Sequence, residues 1–195
     1  MAHGSAAGAE LRPSLPAWSV VTPPRLEHIT RVASLASGWA SAMGIPDSER
    51  NRWLRAIWLH DALRDASDDE LTALAPSTPG PAALRHGPAA AARAKAEGET
   101  DRGVLDAVRY HSLGLAEWDM VGRVLYCADY LEPGRSFDRE VRADLAARFP
   151  SDPSGVLRDV ARRRILHTIE SRWPLPEPTV RFWNALAGSA PASSR

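Results

Sequence analysis

Net charge is the first thing this chain lacks: 24 Lys and Arg balance 24 Asp and Glu over 195 residues. No overall field therefore draws it to nucleic acid or to an anionic membrane, and an anionic ligand has to be met by a local cluster. Cysteine is nearly absent. The single Cys127 excludes an intramolecular disulfide, and its neighbours read as a helix interior, which suits a reducing cytoplasm. No apolar run approaches the ~20 residues that span a bilayer, and residues 1–20 show no basic start followed by an apolar stretch. The expectation is a protein neither secreted nor inserted in a membrane.

What is present is the mixture of an ordinary globular domain, 44% apolar and 25% charged. A chain of this length supports one domain with a real core. Residues 1–15 and 188–195, rich in Ala, Gly, Ser and Pro, offer little to bury and read as frayed tails, with His3 in the first of them. Between the tails, apolar residues recur at helical intervals, so the fold class is all-α. Thr22 is placed to cap a helix opened by Pro23 and Pro24 and ended by Gly44. A second helix follows Asp47, and Ser67 with Glu70 forms a capping box for a short third one before the Pro-Gly loop at 76–81. Further helices are predicted near 88–97, 101–111, 119–131, 138–148, 153–172 and 178–187. Most of the seven tryptophans fall on inward stripes, although a self-association surface and a homodimer stay open.

Several polar residues sit where burial is expected. His60 and Asp61 end the apolar run AIWLHDAL, and a buried charge demands a partner, of which a metal ion is one. His28 lies next to Ile29, and His111 follows Val104 and Val108 on one helix face. Asp129 lies inside VLYCADYL, an odd place for an unpaired carboxylate. His86 stands beside Gly87 in a loop. Each alone also fits a hydrogen-bonded core residue, and Asp129 a helix-packing ion pair. Together they are harder to dismiss, because converging imidazoles and carboxylates repel one another or compete for protons unless a cation lies among them. His167 shares its helix with Arg162, Arg163 and Arg164 and reads as structural or exposed.

The strings RLEHITRVASLASGWASAMG at 25–44, LHDALR at 59–64, RHGPAAA at 85–91, YHSLG at 110–114, ADYLEPGR at 128–135 and PEPTVRFWNAL at 176–186 resemble successive motifs of the HD-domain superfamily. The closest likeness is to its YqeK branch, the symmetrical diadenosine tetraphosphate hydrolases. The resemblance implies a single HD-domain helical bundle over 25–187, an N-terminal extension over 1–24 that is partly disordered, and a disordered tail over 188–195. It further implies that His28, His60, Asp61 and Asp129 hold one metal, that His86 and His111 hold a second, and that Asp61 bridges the two. The metals are then two divalent or mixed-valence ions, typically iron, and a ligand set without thiolate also suits manganese. Two positions depart from the family pattern: Arg64 stands where lysine is usual, and Ser112 where threonine is usual. Serine keeps the hydroxyl, and arginine keeps the charge but cannot act as an acid or base.

The expected reaction is cleavage of diadenosine tetraphosphate into two ADP by a metal-bridging hydroxide, with Asp61 and Arg64 catalytic and Arg64 and Arg135 set against the phosphates. Arg135 also fits a cap or ion pair near a helix end. Alternatives are a broader nucleotide or alarmone phosphohydrolase using the same metals, or a nucleotide-sensing HD domain without turnover. The expected partner is a small nucleotide.

Overall fold

The computed structural model describes residues 14–78 and 82–188. Most of the expected tails, with His3, and the last residues of the 76–81 loop lie outside the described residues. Among those described there is no strand, and nine α-helices hold more than half of the chain: α1 (Pro23–Ala42), α2 (Asp47–His60), α3 (Asp68–Leu74), α4 (His86–Ala96), α5 (Arg102–Tyr110), α6 (Met120–Leu131), α7 (Arg139–Arg148), α8 (Pro153–Glu170) and α9 (Glu177–Gly188). The architecture is the all-helical one that the periodicity predicts. None of these helices is long and apolar enough to cross a membrane.

Local chemistry explains the starts. Side-chain oxygens of Ser67, Asp101, Asp119 and Asp152 accept the backbone N–H of Glu70, Val104, Val121 and Gly155, which satisfies donors left open in the first turns of α3, α5, α6 and α8. Helix α1 begins as predicted at Pro23, but Thr22 does not cap it with its side chain. The Thr22 hydroxyl and amide instead both donate to Asp65 Oδ2, at 2.9 and 2.7 Å. The Asp65 carboxylate, brought in from the exit of α2, accepts both and draws the hydroxyl toward itself, which ties the chain before α1 to the turn after His60.

Helix α6 organises the molecule. It packs against α1, α2, α5, α7 and α8, and nine of its residues are buried, from Val121 through Leu131. A helix apolar on every side belongs at the centre of a bundle. Asp129 lies on it, so its carboxylate faces other elements rather than water. The alanines of α4 at 89, 90, 91 and 94 are buried and let that helix lie close to α5. Trp39, Trp53 and Trp118 are core residues, with Trp39 stacked on Phe149 at 4.0 Å between ring centroids. Trp173 departs from the inward pattern at 62% exposed. Cys127 is fully buried and His167 is exposed, as the sequence indicates.

Candidate metal centre

Five elements converge on one polar spot inside this core. His28 comes from the second turn of α1, His60 and Asp61 from the end of α2, His86 from the first residue of α4, His111 from the residue that ends α5, and Asp129 from α6. All six are buried. The structure thus brings together every His and Asp singled out from the sequence.

The imidazoles share one orientation rule. Nδ1 of His60, His86 and His111 lies 2.6, 2.8 and 2.7 Å from the carbonyl three residues earlier, of Ile57, Ala83 and Val108. A carbonyl only accepts, so each Nδ1 carries the hydrogen and each Nε2 lone pair points into the site. His28 Nδ1 faces Glu132 Oε1 at 3.1 Å. Glu132 is itself buried, and its other oxygen accepts from Arg31 Nε and Gly134 N, both at 2.6 Å. A histidine backed in this way by a carboxylate or carbonyl is the usual support of a metal-binding imidazole. Glu132 was not identified from the sequence, although it lies within the ADYLEPGR string.

Asp61 divides its two oxygens. Oδ2 lies 3.7 and 3.6 Å from Nε2 of His28 and His60, while Oδ1 lies 3.2 and 3.8 Å from Nε2 of His86 and His111. Asp129 Oδ1 stands 3.2 Å from His28 Nε2. Two donor groups result, His28/His60/Asp61 and Asp61/His86/His111, with the donor atoms of each within 4.8 Å of one another.

The donors fit metal ions. Nε2 of His28 and of His60 are buried without a hydrogen-bond partner, which a core rarely tolerates. Nε2 of His86 and of His111 face each other at 3.0 Å although both are held as acceptors. A shared cation relieves that repulsion. Burial brings the His111 pKa down to about 3, and burial likewise lowers that of His60. Both rings are held in the neutral form that binds metal. For His28, burial also acts downward, but the negative charge of the Asp129 carboxylate, 3.2 Å from its Nε2, outweighs it and raises the pKa. Burial would push the two aspartates up. The polar and cationic groups packed against them overcome it, Arg135 and Arg164 at Asp129 among them, so both stay ionised well below the usual carboxylate range.

Arginines surround the centre. Arg25 Nη1 donates to Asp61 Oδ2 at 2.7 Å. Arg135 donates to Asp129 Oδ1 at 2.6 Å and to its carbonyl at 3.1 Å, the ion-pair placement weighed for it above. Arg64 lies in the turn after Asp61, and its guanidinium makes no hydrogen bond or ion pair with any described residue. Arg25 and Arg164 were not identified as site residues, because nothing local in the sequence marks them. The Ser112 hydroxyl lies 3.2 Å from His111 Nε2.

Residues 25–134 match the HD domain family. A 55-residue stretch is 42% identical to the symmetrical bis(5'-nucleosyl)-tetraphosphatase of Bacillus subtilis and covers 28% of this chain and 30% of that protein. A 104-residue stretch is 27% identical to the protein of the same name from Halalkalibacterium halodurans and covers 53% and 54%. The chain thus spans about half or less of the length of these relatives. A solved structure from Clostridium acetobutylicum, described as a predicted HD superfamily hydrolase involved in NAD metabolism, superposes with a TM-score of 0.76 at 22% identity, covering 87% of this chain and 92% of that one. With most of its length matched by the family and with histidines and aspartates converging as they do here, this chain belongs to the HD domain family.

Proposed function

We propose that this protein is a metal-dependent phosphohydrolase that cleaves dinucleoside polyphosphates, with diadenosine tetraphosphate as the substrate and two ADP as the products. The observation that carries the proposal is the division of Asp61: one oxygen toward His28 and His60, the other toward His86 and His111. Those residues and Asp129 are the proposed ligands of two metal ions, iron by the family resemblance, with manganese also compatible with an all-N/O donor set. Such ions, when bound, supply Lewis acidity, acidifying water and withdrawing charge from a phosphoryl oxygen. The names of the two curated relatives support the substrate.

The chain's own residues have defined tasks. The backbone carbonyls and Glu132 hold each imidazole with its lone pair inward, so no reorganisation is needed when a cation arrives. Cys127 is no nucleophile, since burial pushes its thiol pKa up. Water therefore attacks an inner phosphorus, and the central anhydride bond breaks. The water oxygen stays on one ADP, the bridging oxygen leaves with the other, and the two protons of the water pass to the new terminal phosphates or to solvent. Arg64, with its unengaged guanidinium, and Arg135, at the edge of Asp129, are the proposed phosphate contacts, and Arg25 beside Asp61 is a third cation within the same centre.

Metal analysis of protein purified without chelator, combined with a panel of dinucleoside polyphosphates, nucleoside triphosphates and guanosine alarmones, tests the proposal. Diadenosine tetraphosphate should yield ADP alone. Arg64→Ala should lose ~10²–10³ in rate, the scale of one lost charge-stabilising donor, while Arg64→Lys keeps measurable turnover. Binding of the dinucleotide without hydrolysis by wild type in iron or manganese would make the chain a sensor instead.

A further inference from the structure

The match to the HD family ends at residue 134, yet one charged group at the centre comes from α8, beyond it. Val156, Leu157, Val160 and Ala161 form the buried stripe of that helix. Arg164 continues the stripe one turn later, three and four residues after Ala161 and Val160. Its Nη2 lies 3.2 Å from Asp129 Oδ2, and its Nη1 lies 3.4 Å from the carbonyls of both His111 and Tyr126. The guanidinium rests 4.4 Å from the centre of the Tyr126 ring, and Tyr126 is buried.

We infer that Arg164 is a positioning residue for the metal centre: its grip on Asp129 Oδ2 turns Oδ1 toward His28 Nε2 and joins the end of α5 to α6. The inference rests on Asp129 being a metal ligand, as proposed above. Two arginines share this carboxylate, and they differ in kind. Arg135 takes Oδ1, the oxygen that faces His28, so a cation bound beside His28 competes with it. Arg164 takes the opposite oxygen and lies against a fixed ring, so it keeps its contact whatever Oδ1 binds. The carbonyl of His111 belongs to the second donor group, and through it one guanidinium spans both. Lysine could reach Oδ2 as a point charge but lacks the planar fork that meets the two carbonyls as well. Helix α8 therefore supplies alignment as well as packing.

The test is titration of Mn2+ alone into the full chain stripped of metal, with free Mn2+ read by electron paramagnetic resonance. Arg164→Met should weaken binding ~10–100-fold, the usual cost of losing an outer support of a metal ligand. Its metal-free melting temperature should stay within a few degrees of wild type. Arg164→Lys should fall between the two. In an Asp129→Asn background, Arg164→Met should cost well under half of its effect in the otherwise wild-type chain, because only its hold on the His111 and Tyr126 carbonyls is then left to lose. Wild-type affinity in Arg164→Met, or a loss that adds in full in the Asp129→Asn background, overturns the inference. If Arg164→Met does not fold, Arg164→Gln takes its place with the same expected loss. Because no nucleotide is present, a failure to hydrolyse dinucleotides leaves this result standing; absence of Mn2+ binding by wild type would remove the metal reading and the inference together.

Discussion

A methyl group at Gly87 would lie 2.7 Å from the Val108 carbonyl oxygen and 3.0 Å from two atoms of the His111 ring. That carbonyl is the acceptor that sets the tautomer of His111. Glycine thus follows His86 because α4 and α5 must touch backbone to ring at the point where both deliver an imidazole. Gly87→Ala sets two effects against each other. Alanine in a helix gains up to about 1 kcal/mol over glycine, while overpacking a close contact costs about 1–3 kcal/mol. The expected outcome is a net destabilisation of up to about 2–3 kcal/mol, with at least a ~10-fold loss of metal affinity read by Mn2+ titration. A more stable variant with unchanged affinity would show that the close approach is dispensable. At this scale five of the six His and Asp residues were legible because they break an apolar pattern, and His86 through the motif RHGPAAA in which it stands. Glu132, Arg25 and Arg164 were not, since charged residues near helix ends or beside other arginines look like ordinary solvated surface until a distant partner is known.

Helices reach the centre in register because their far ends are tied as well. Arg52 of α2 makes a bidentate pair with Asp101 at 2.6 and 3.0 Å and a further bond to Asp119 at 2.8 Å. Those two aspartates are the N-caps of α5 and α6, the helices that deliver His111 and Asp129. One guanidinium therefore joins α2 to the starts of both. The Arg52 hydrogen bond, helped by the Val104 amide, holds the Asp101 pKa down to about 2 from the ordinary 3.8. With the folded value depressed, the contribution is fully present above about pH 4 and is lost as pH falls toward 2. The shift corresponds to about 1–2 kcal/mol once screening at the partly exposed arginine is allowed for. Urea unfolding from pH 7 to pH 2 should show Arg52→Met less stable than wild type by about that amount at neutral pH, with the gap closing near pH 2. A gap that does not change with pH would mean that Arg52 acts through packing alone. Helix extents were readable to within a residue or two from Gly, Pro and cap residues. The capping role expected of Thr22 was not realised, because Asp65, 43 positions away, competes for its hydroxyl, and no local pattern reports such a partner.

Across the whole molecule, the proposed ligands come from α1, the α2 exit, α4, the α5 end and α6, so a pair of bound cations sharing Asp61 cross-links five segments that the unfolded chain holds apart. All-α architecture followed from periodicity alone, but the meeting of these segments did not: it depends on α6 being buried on every side and on the close approach of α4 to α5. A ligand that binds only the folded state stabilises it by about 2.7 kcal/mol when present at 100 times its dissociation constant. For a domain of this size, where ~1 kcal/mol moves the melting temperature by about 2–4 °C, that predicts a rise of about 5–10 °C when Mn2+ is added to metal-stripped protein. Magnesium should do much less, since it favours oxygen ligands and retains its water. Asp61→Asn keeps the shape of the residue but removes the charge that both imidazole pairs share, and should abolish most of the rise relative to its own metal-free midpoint. A wild-type rise in Asp61→Asn would mean that Mn2+ stabilises the fold from somewhere else, and the centre described here would then be a neutral-histidine core held by its arginines rather than a metal site.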